Sequence, residues 1–172
     1  DRIAKELLSN SEVMSIGLAA RDSLRLEAGL CLYGHDLNEK ITPIEASLNW
    51  AIHKERRIGG RNMGGFIGDE VILSQLEDGS NIKRVALLPV DRAPMREGCL
   101  LFETPESTKS IGHITSGGFS PTLQKPISLA YIQIELATEG REIFAEVRGK
   151  RMIAIVSKLP FVRTKYKLKK KE

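Results

Sequence analysis

Apolar residues change their spacing part-way along this chain, and the change divides it into two regions. Near the start, Ile3, Ala4, Leu7 and Leu8 recur at the interval of one helix face, and Asn10-Ser11 ends the run. Asp22 stands where a side-chain oxygen can cap a short helix carrying Leu24, Leu26 and Ala28, with Gly29 as its stop. Thr42-Pro43-Ile44-Glu45 has the form of a capping box with proline in the first helical position, which predicts another short helix. Leu48, Trp50 and Ile52 then alternate with Asn49 and His53 as they would in a strand.

The stretch Gly59 to Gly68 holds five glycines and few side chains that could pack, so it reads as a flexible junction. It sets the expected domain boundary, dividing the chain into residues 1–58 and 59–172. Beyond it, Val71, Ile72 and Leu76 with Gly79 as stop predict one short helix, and everything after that predicts sheet. Candidate strands are Lys83–Val90, Gly112–Thr115, Ser128–Gln133, Glu142–Val147 and Arg151–Lys158, joined by turns rich in Gly, Pro and Ser. Arg148-Gly149-Lys150 is expected to form the hairpin between the last two. Short antiparallel strands with one apolar face must close or pair to protect their edges, so a small antiparallel β-barrel or jelly-roll-like domain follows. The fold class is α+β, mainly β.

Composition adds little to this and excludes more. Hydrophobic residues at 41% and charged residues at 28% are an ordinary balance for a globular chain able to bury a core. No apolar run approaches the ~20 residues that span a bilayer, so no membrane is expected as a partner. The opening DRIAKELLSN lacks the basic and apolar regions of a signal peptide. Net charge is +4 with a pI near 9.1, but Lys165, Lys167, Lys169, Lys170 and Lys171 crowd the tail, where a solvated terminus is expected. With aromatics at 5% and no recognition-helix motif beside the basic run, nucleic acid is not expected either. Cys31 and Cys99 lie far apart and read as reduced core residues.

Several chemistries lack their residues. His35, His53 and His113 have no partner at metal-ligand spacing, and two isolated cysteines do not complete a zinc site, so no metal is expected. Gly112, Gly117 and Gly118 in GHITSGGFSP are followed by no helix with a basic residue, as a phosphate loop requires, and are expected to form a tight turn between barrel strands. Ser116 and Ser120 sit in no nucleophile elbow.

One stretch, Gly17 to Asp36, sets a tight run of charge between apolar shoulders. Arg21, Asp22, Arg25 and Glu27 alternate with Leu24, Leu26 and Leu30, so at least one ion pair must sit close to a packed core. Breaking such a pair when buried costs roughly 3–5 kcal/mol. On their own, the residues make Arg21 a structural partner of Asp22 or Glu27, Asp22 a helix cap, and Asp36 a turn residue after Gly34.

This stretch, ARDSLRLEAGLCLYG, and a second block near the end, SKLPFVRTKY from Ser157 to Tyr166, resemble the aminomethyltransferase (T-protein) family of the glycine cleavage system. The two matches are well separated and fall in the right order. The resemblance implies the end of a folate-binding domain in residues 1–58, then the family's C-terminal β-barrel, within a three-domain ring around a cavity. It also implies a reaction: the one-carbon unit carried on the lipoyl arm of the H-protein passes to tetrahydrofolate, ammonia is released, and methylenetetrahydrofolate forms. Tetrahydrofolate is the cosubstrate, the lipoylated H-protein the partner, and the compartment a bacterial cytoplasm or a mitochondrial matrix. The family's catalytic aspartate is expected upstream of Asp1, so no catalytic residue is expected here.

For binding, the resemblance implies that Arg21 contacts the folate, as suits a guanidinium that donates two parallel hydrogen bonds to a carboxylate. Tyr166, the tyrosine of the PFVxTxY tail, is implied at the same site, with Pro160, Phe161 and Val162 docking the segment and Arg163 standing where relatives often have proline. Trp50 matches a tryptophan near the cavity, although core packing explains it about as well. Arg25 and Glu27 are expected to pair and hold the loop presenting Arg21. Two alternatives stand beside this reading. One is a related folate-dependent protein, such as a dimethylglycine or sarcosine dehydrogenase tail or an iron–sulfur assembly protein. The other is a non-catalytic interaction module whose basic tail docks an acidic partner.

Overall fold

A computed structural model describes residues 1–163. Among them, helices α1 (Arg2–Leu8), α2 (Leu18–Glu27) and α3 (Asp69–Asp78) precede the strands β1 (Ile82–Pro89), β2 (Leu100–Phe102), β3 (Gly112–Ser120), β4 (Lys125–Gln133), β5 (Glu142–Val147) and β6 (Lys150–Ser157). All the strand pairings are antiparallel, and the order β1-β4-β3-β2-β5-β6 returns to β1. The sheet therefore closes into a barrel, which removes the unpaired edges an open sheet would expose. Of the two architectures the strand pattern allows, the barrel is the one formed.

Its interior is filled by residues that alternate along the strands: Val85 and Leu87, Leu101, Ile114, Ala130 and Ile132, Ile143 and Ala145, Ala154 and Val156. Strand β4 departs from one-sided burial, because every residue from Pro126 to Ile132 is buried. Even-numbered Ala130 and Ile132 face the barrel core. Odd-numbered Ile127 and Leu129 face outward and pack under Leu26 of α2, with Leu159 and Phe161 from the end of the chain against the same cluster. A strand buried on both faces reads as a continuous apolar run, and ISLAYI is one. The outer cover of β4 is what ties the first part of the chain to the barrel.

The expected α1 and α3 form, as do the five strands foreseen, with ends shifted by a few residues. The β5–β6 hairpin turns at Arg148 and Gly149, both at positive φ (53° and 74°), the geometry whose twist matches the flanking strands. Strand β2 was not foreseen, since three residues are too few to show alternation.

Four local expectations are corrected. Asp22 caps nothing: α2 starts earlier, with Gly17 at its cap, and Asp22 lies inside it. The capping box at Thr42 makes both of its reciprocal bonds, Thr42 N–H to Glu45 Oε2 at 2.8 Å and Glu45 N–H to Thr42 Oγ1 at 3.2 Å. Yet no helix follows, because Ser47 turns to φ 57° and ends the segment after one turn. Leu48 to Ile52 forms a short 3-10 turn over Asn49–Ala51 instead of a strand. The barrel is closed, so no edge remains there to pair with. Finally, the glycines of GHITSGG make no turn but lie within β3.

Those glycines are required by close approach. A Cβ on Gly112 would overlap the Tyr131 carbonyl, and one on Gly117 would overlap the Met95 carbonyl, whereas Gly118 would meet only Leu26 Cδ2 at 3.6 Å, an ordinary contact. Gly117→Ala should thus destabilise the protein by about 1–3 kcal/mol, the usual cost of overpacking, while Gly118→Ala changes little. Urea unfolding of both variants checks this; equal stability would mean that the segment around Met95 moves aside without penalty.

Candidate functional site

The charged run between Gly17 and Asp36 is where helix, loop and barrel meet. Asp36 is fully buried. A carboxylate taken out of water needs a donor for nearly every lone pair, and the local geometry supplies them. Oδ2 accepts from Arg25 Nη1 at 2.7 Å and from the Leu32 backbone N–H at 2.9 Å. Oδ1 accepts from Thr115 Oγ1 at 2.6 Å and Ser116 Oγ at 2.8 Å. The main-chain carbonyl of Asp36 accepts the Tyr131 hydroxyl at 2.8 Å, and Arg25 Nη2 closes the ring by donating to Ser116 Oγ at 2.9 Å.

Two successive residues of a regular strand point to opposite faces, so Thr115 and Ser116 could not both reach one carboxylate. The β3–β4 register shifts between Ile114 and Ser116, and this bulge turns both hydroxyls toward Asp36. Burial pushes the Tyr131 phenol and the Cys31 thiol beside this cluster upward, so both are neutral at physiological pH.

Glu27 forms a second buried anchor at the C-terminal end of α2. It accepts from Ser120 Oγ at 2.5 Å, the Thr122 N–H at 3.0 Å and Thr122 Oγ1 at 2.8 Å. Burial pushes its carboxyl up, but the hydrogen bonds from Ser120 and Thr122 outweigh burial and hold it below its ordinary value. Arg84, also buried, donates to the carbonyls of Gly29 and Ala46 at 2.9 and 2.8 Å and fixes the segment after α2 to β1.

The ion pair expected near the core is therefore real, but its members differ from those expected. Arg25 pairs with Asp36 and not with Glu27, and among the described residues Glu27 accepts only from uncharged donors, Ser120 and Thr122. Asp36, read from the sequence as a turn residue, is the centre of the cluster. Nothing periodic flags it; its one local signal is an acid set among Leu32, Tyr33 and Leu37.

Arg21 lies one turn before Arg25 on α2, and its nearest acid is Asp22 at 3.7 Å, with both side chains about half exposed. Exposed Leu18 and Leu24 flank it three residues to either side. Trp50 is 73% exposed on its 3-10 turn, outside the core that the described residues form. Tyr166 and the lysine tail lie outside the described residues. The chain leading to them does return to α2: Phe161 packs on the Leu26 cluster and the Val162 N–H donates to the Glu27 carbonyl at 3.0 Å. A groove of about 310 Å³ between α2 and β3 is lined by Asp22, Arg25, Arg96, Gly117, Gly118 and Phe119 among others, and neither Arg21 nor Trp50 borders it. Among the described residues, no group of three or more His, Cys, Asp or Glu could hold a metal, and no helix is long and apolar enough to cross a membrane.

Known proteins resemble this chain in sequence and fold. The family model described as "Glycine cleavage T-protein C-terminal barrel domain" matches residues 83–163, and the one described as "GCVT N-terminal domain" matches residues 2–56. The chain belongs to the glycine cleavage T-protein family. It is 51% identical over 158 residues to a mitochondrial aminomethyltransferase of Dictyostelium discoideum, covering 91% of this chain and 38% of that protein. Against the human mitochondrial aminomethyltransferase it is 46% identical over 164 residues, covering 95% of this chain and 39% of the relative. The crystal structure of the glycine cleavage system aminomethyltransferase T from Bartonella henselae superposes with a TM-score of 0.83 at 43% identity, over 94% of this chain and 43% of that one. The chain thus spans about two-fifths of the length of the T-protein relatives it matches.

Two outcomes follow from the anchors of α2. Replacing Asp36 with alanine strands Arg25 and two hydroxyls, and should cost about 3–5 kcal/mol, with Asp36→Asn losing less; denaturant melts of both variants give the comparison. Glu27 supplies the pH dependence. Its folded-state value lies below the ordinary 4.5, so its stabilising contribution is complete above that pH and is lost as pH falls through the folded value. Between pH 7 and 3 the melting temperature of the parent should fall more steeply than that of Glu27→Gln. Parallel curves would mean that the three donors do not favour the charged form.

Proposed function

We propose that the chain forms the C-terminal part of an aminomethyltransferase that passes the one-carbon unit from the aminomethyl-lipoyl arm of H-protein to tetrahydrofolate, with release of ammonia. In this reading residues 1–58 end the folate-binding domain and residues 59–172 form the C-terminal barrel domain. The matched relatives named mitochondrial favour the mitochondrial matrix if the source is eukaryotic; a bacterial protein would work in the cytoplasm.

The observation that carries the reading is a division of labour along α2. A purely structural role is already filled by Arg25, which is 14% exposed and bonded to Asp36 and Ser116. Arg21, one turn away, is half exposed and, among the described residues, held by no more than a 3.7 Å contact with an equally exposed acid, so its fork is available to a ligand. A carboxylate-bearing ligand with a flat apolar body suits this place, since the guanidinium donates to the acid while Leu18 and Leu24 offer hydrocarbon on either side. Tetrahydrofolate fits that description, and when bound it accepts the one-carbon unit. Arg21 then binds and orients it, and Arg25, Asp36 and Glu27 keep α2 fixed on the barrel beneath. Trp50 is proposed as a second contact because a large aromatic left 73% exposed offers a stacking face. Tyr166 is proposed as a third, supported by the return of Phe161 and Val162 to α2. The reacting carboxylate is proposed to come from outside residues 1–172.

In the intact protein, Arg21→Ala should weaken tetrahydrofolate binding by about 1.5–3 kcal/mol, the scale of a hydrogen bond to a charged group, with little change in melting temperature. Titration of folate against the folded variant decides it: unchanged affinity removes Arg21 from the site. Loss of stability with affinity falling only through unfolding returns Arg21 to a structural role.

A further inference from the structure

The largest concavity described lies away from Arg21, at one end of the barrel. It is a cleft of about 590 Å³ between the connection from β1 to β2 and the hairpin joining β5 to β6. Sites for small molecules commonly occupy ~300–1,000 Å³ and combine an apolar floor with a few placed polar groups. Here the floor is Cys99, Val147 and Met152, half-buried side chains packed on the barrel core. The rim carries Arg96, Arg148 and Lys150, and among the described residues no acid lines the cleft. None of the three cations joins an ion pair among the described residues; the acids nearest in sequence are engaged elsewhere, Glu97 by His35 and Glu146 by Arg151, which stacks on Phe102.

Arg148 adds an independent sign. It occupies the first central position of the hairpin turn at φ 53°, where glycine, asparagine or aspartate is the favoured residue. A long cation held there at a backbone cost suggests that its charge is used at this spot. Three cations with no acid partner among the described residues, over a floor of sulfur and hydrocarbon, select for charge and hydrocarbon in one molecule. We propose that this cleft binds a small organic dianion, a phosphate monoester or a dicarboxylate with an apolar body. Arg96 also borders the groove under α2, so it stands on the ridge between the two concavities.

Titration calorimetry with phenyl phosphate, phthalate, inorganic phosphate and phenol tests this, the first two separating a phosphate from a dicarboxylate ligand. Iodoacetamide labelling of Cys99, read apart from Cys31 by peptide mass spectrometry, locates the ligand. At least one organic dianion should bind tenfold or more tighter than both inorganic phosphate and phenol, and should slow labelling of Cys99 but not of Cys31. Arg148→Asn combined with Lys150→Gln should weaken that binding at least tenfold while the melting temperature stays or rises, since asparagine suits the turn. Organic dianions that bind no better than inorganic phosphate, or binding that survives the double substitution, would overturn the proposal.

Discussion

A carboxylate with no access to water organises the contact between the two halves of this chain. Asp36 cannot remain charged and buried unless every donor around it is in place. Those donors come from four parts of the sequence: Arg25 on α2, the backbone of Leu32, and the hydroxyls of Thr115 and Ser116 on β3, while Tyr131 on β4 holds the Asp36 carbonyl. Apolar burial of Leu26 on Ile127 and Leu129 presses α2 to the barrel without fixing its rotation or slide. The charged cluster does fix them, because hydrogen bonds are directional and a shift of one ångström would break several at once. Precision in where Arg21 sits is therefore set by its neighbours Arg25 and Glu27.

This arrangement separates two uses of arginine that a sequence presents as alike. Arg25 and Arg84 are bonded into the interior and would be missed as lost stability. Arg21 is exposed and weakly paired, and the barrel-end cations have no partner among the described residues. The chain thus distributes its hydrogen bonds unevenly, saturating the joint between α2 and the barrel while leaving cations weakly paired or, among the described residues, unpaired at two outer surfaces.

How much of this was legible in the residues depends on the kind of signal. Helix α3 and the longer strands have periodic apolar positions with glycine or proline at their ends, and they were found. The barrel followed from edge protection, an argument about the whole sheet that needs no exact register. Failures fell where a local signal is real but overruled. The Thr42 capping box makes its bonds and still starts no helix, since Ser47 reverses the backbone. Glycine marks turns, so the sequence predicts one at the glycines of β3, whereas they make room for the carbonyls of Met95 and Tyr131. At the site, the charge alternation correctly placed a buried ion pair, but its partner, Asp36, lies beyond the helix and is identified only once the loop has folded back. Arg21 and Trp50 stand out only through a family resemblance, and their exposure is not legible in the spacing of the residues.

The bulge in β3 has a consequence for the order in which the molecule can be assembled. Asp36 precedes Ser116 by 80 residues, so it leaves the ribosome long before the hydroxyls that receive it. Those hydroxyls point the same way only after β3 has paired out of register with β4. Until then the charge of Asp36 must stay in water, and α2 has no fixed seat. The segment that presents Arg21 is made before the strands that lock it in place.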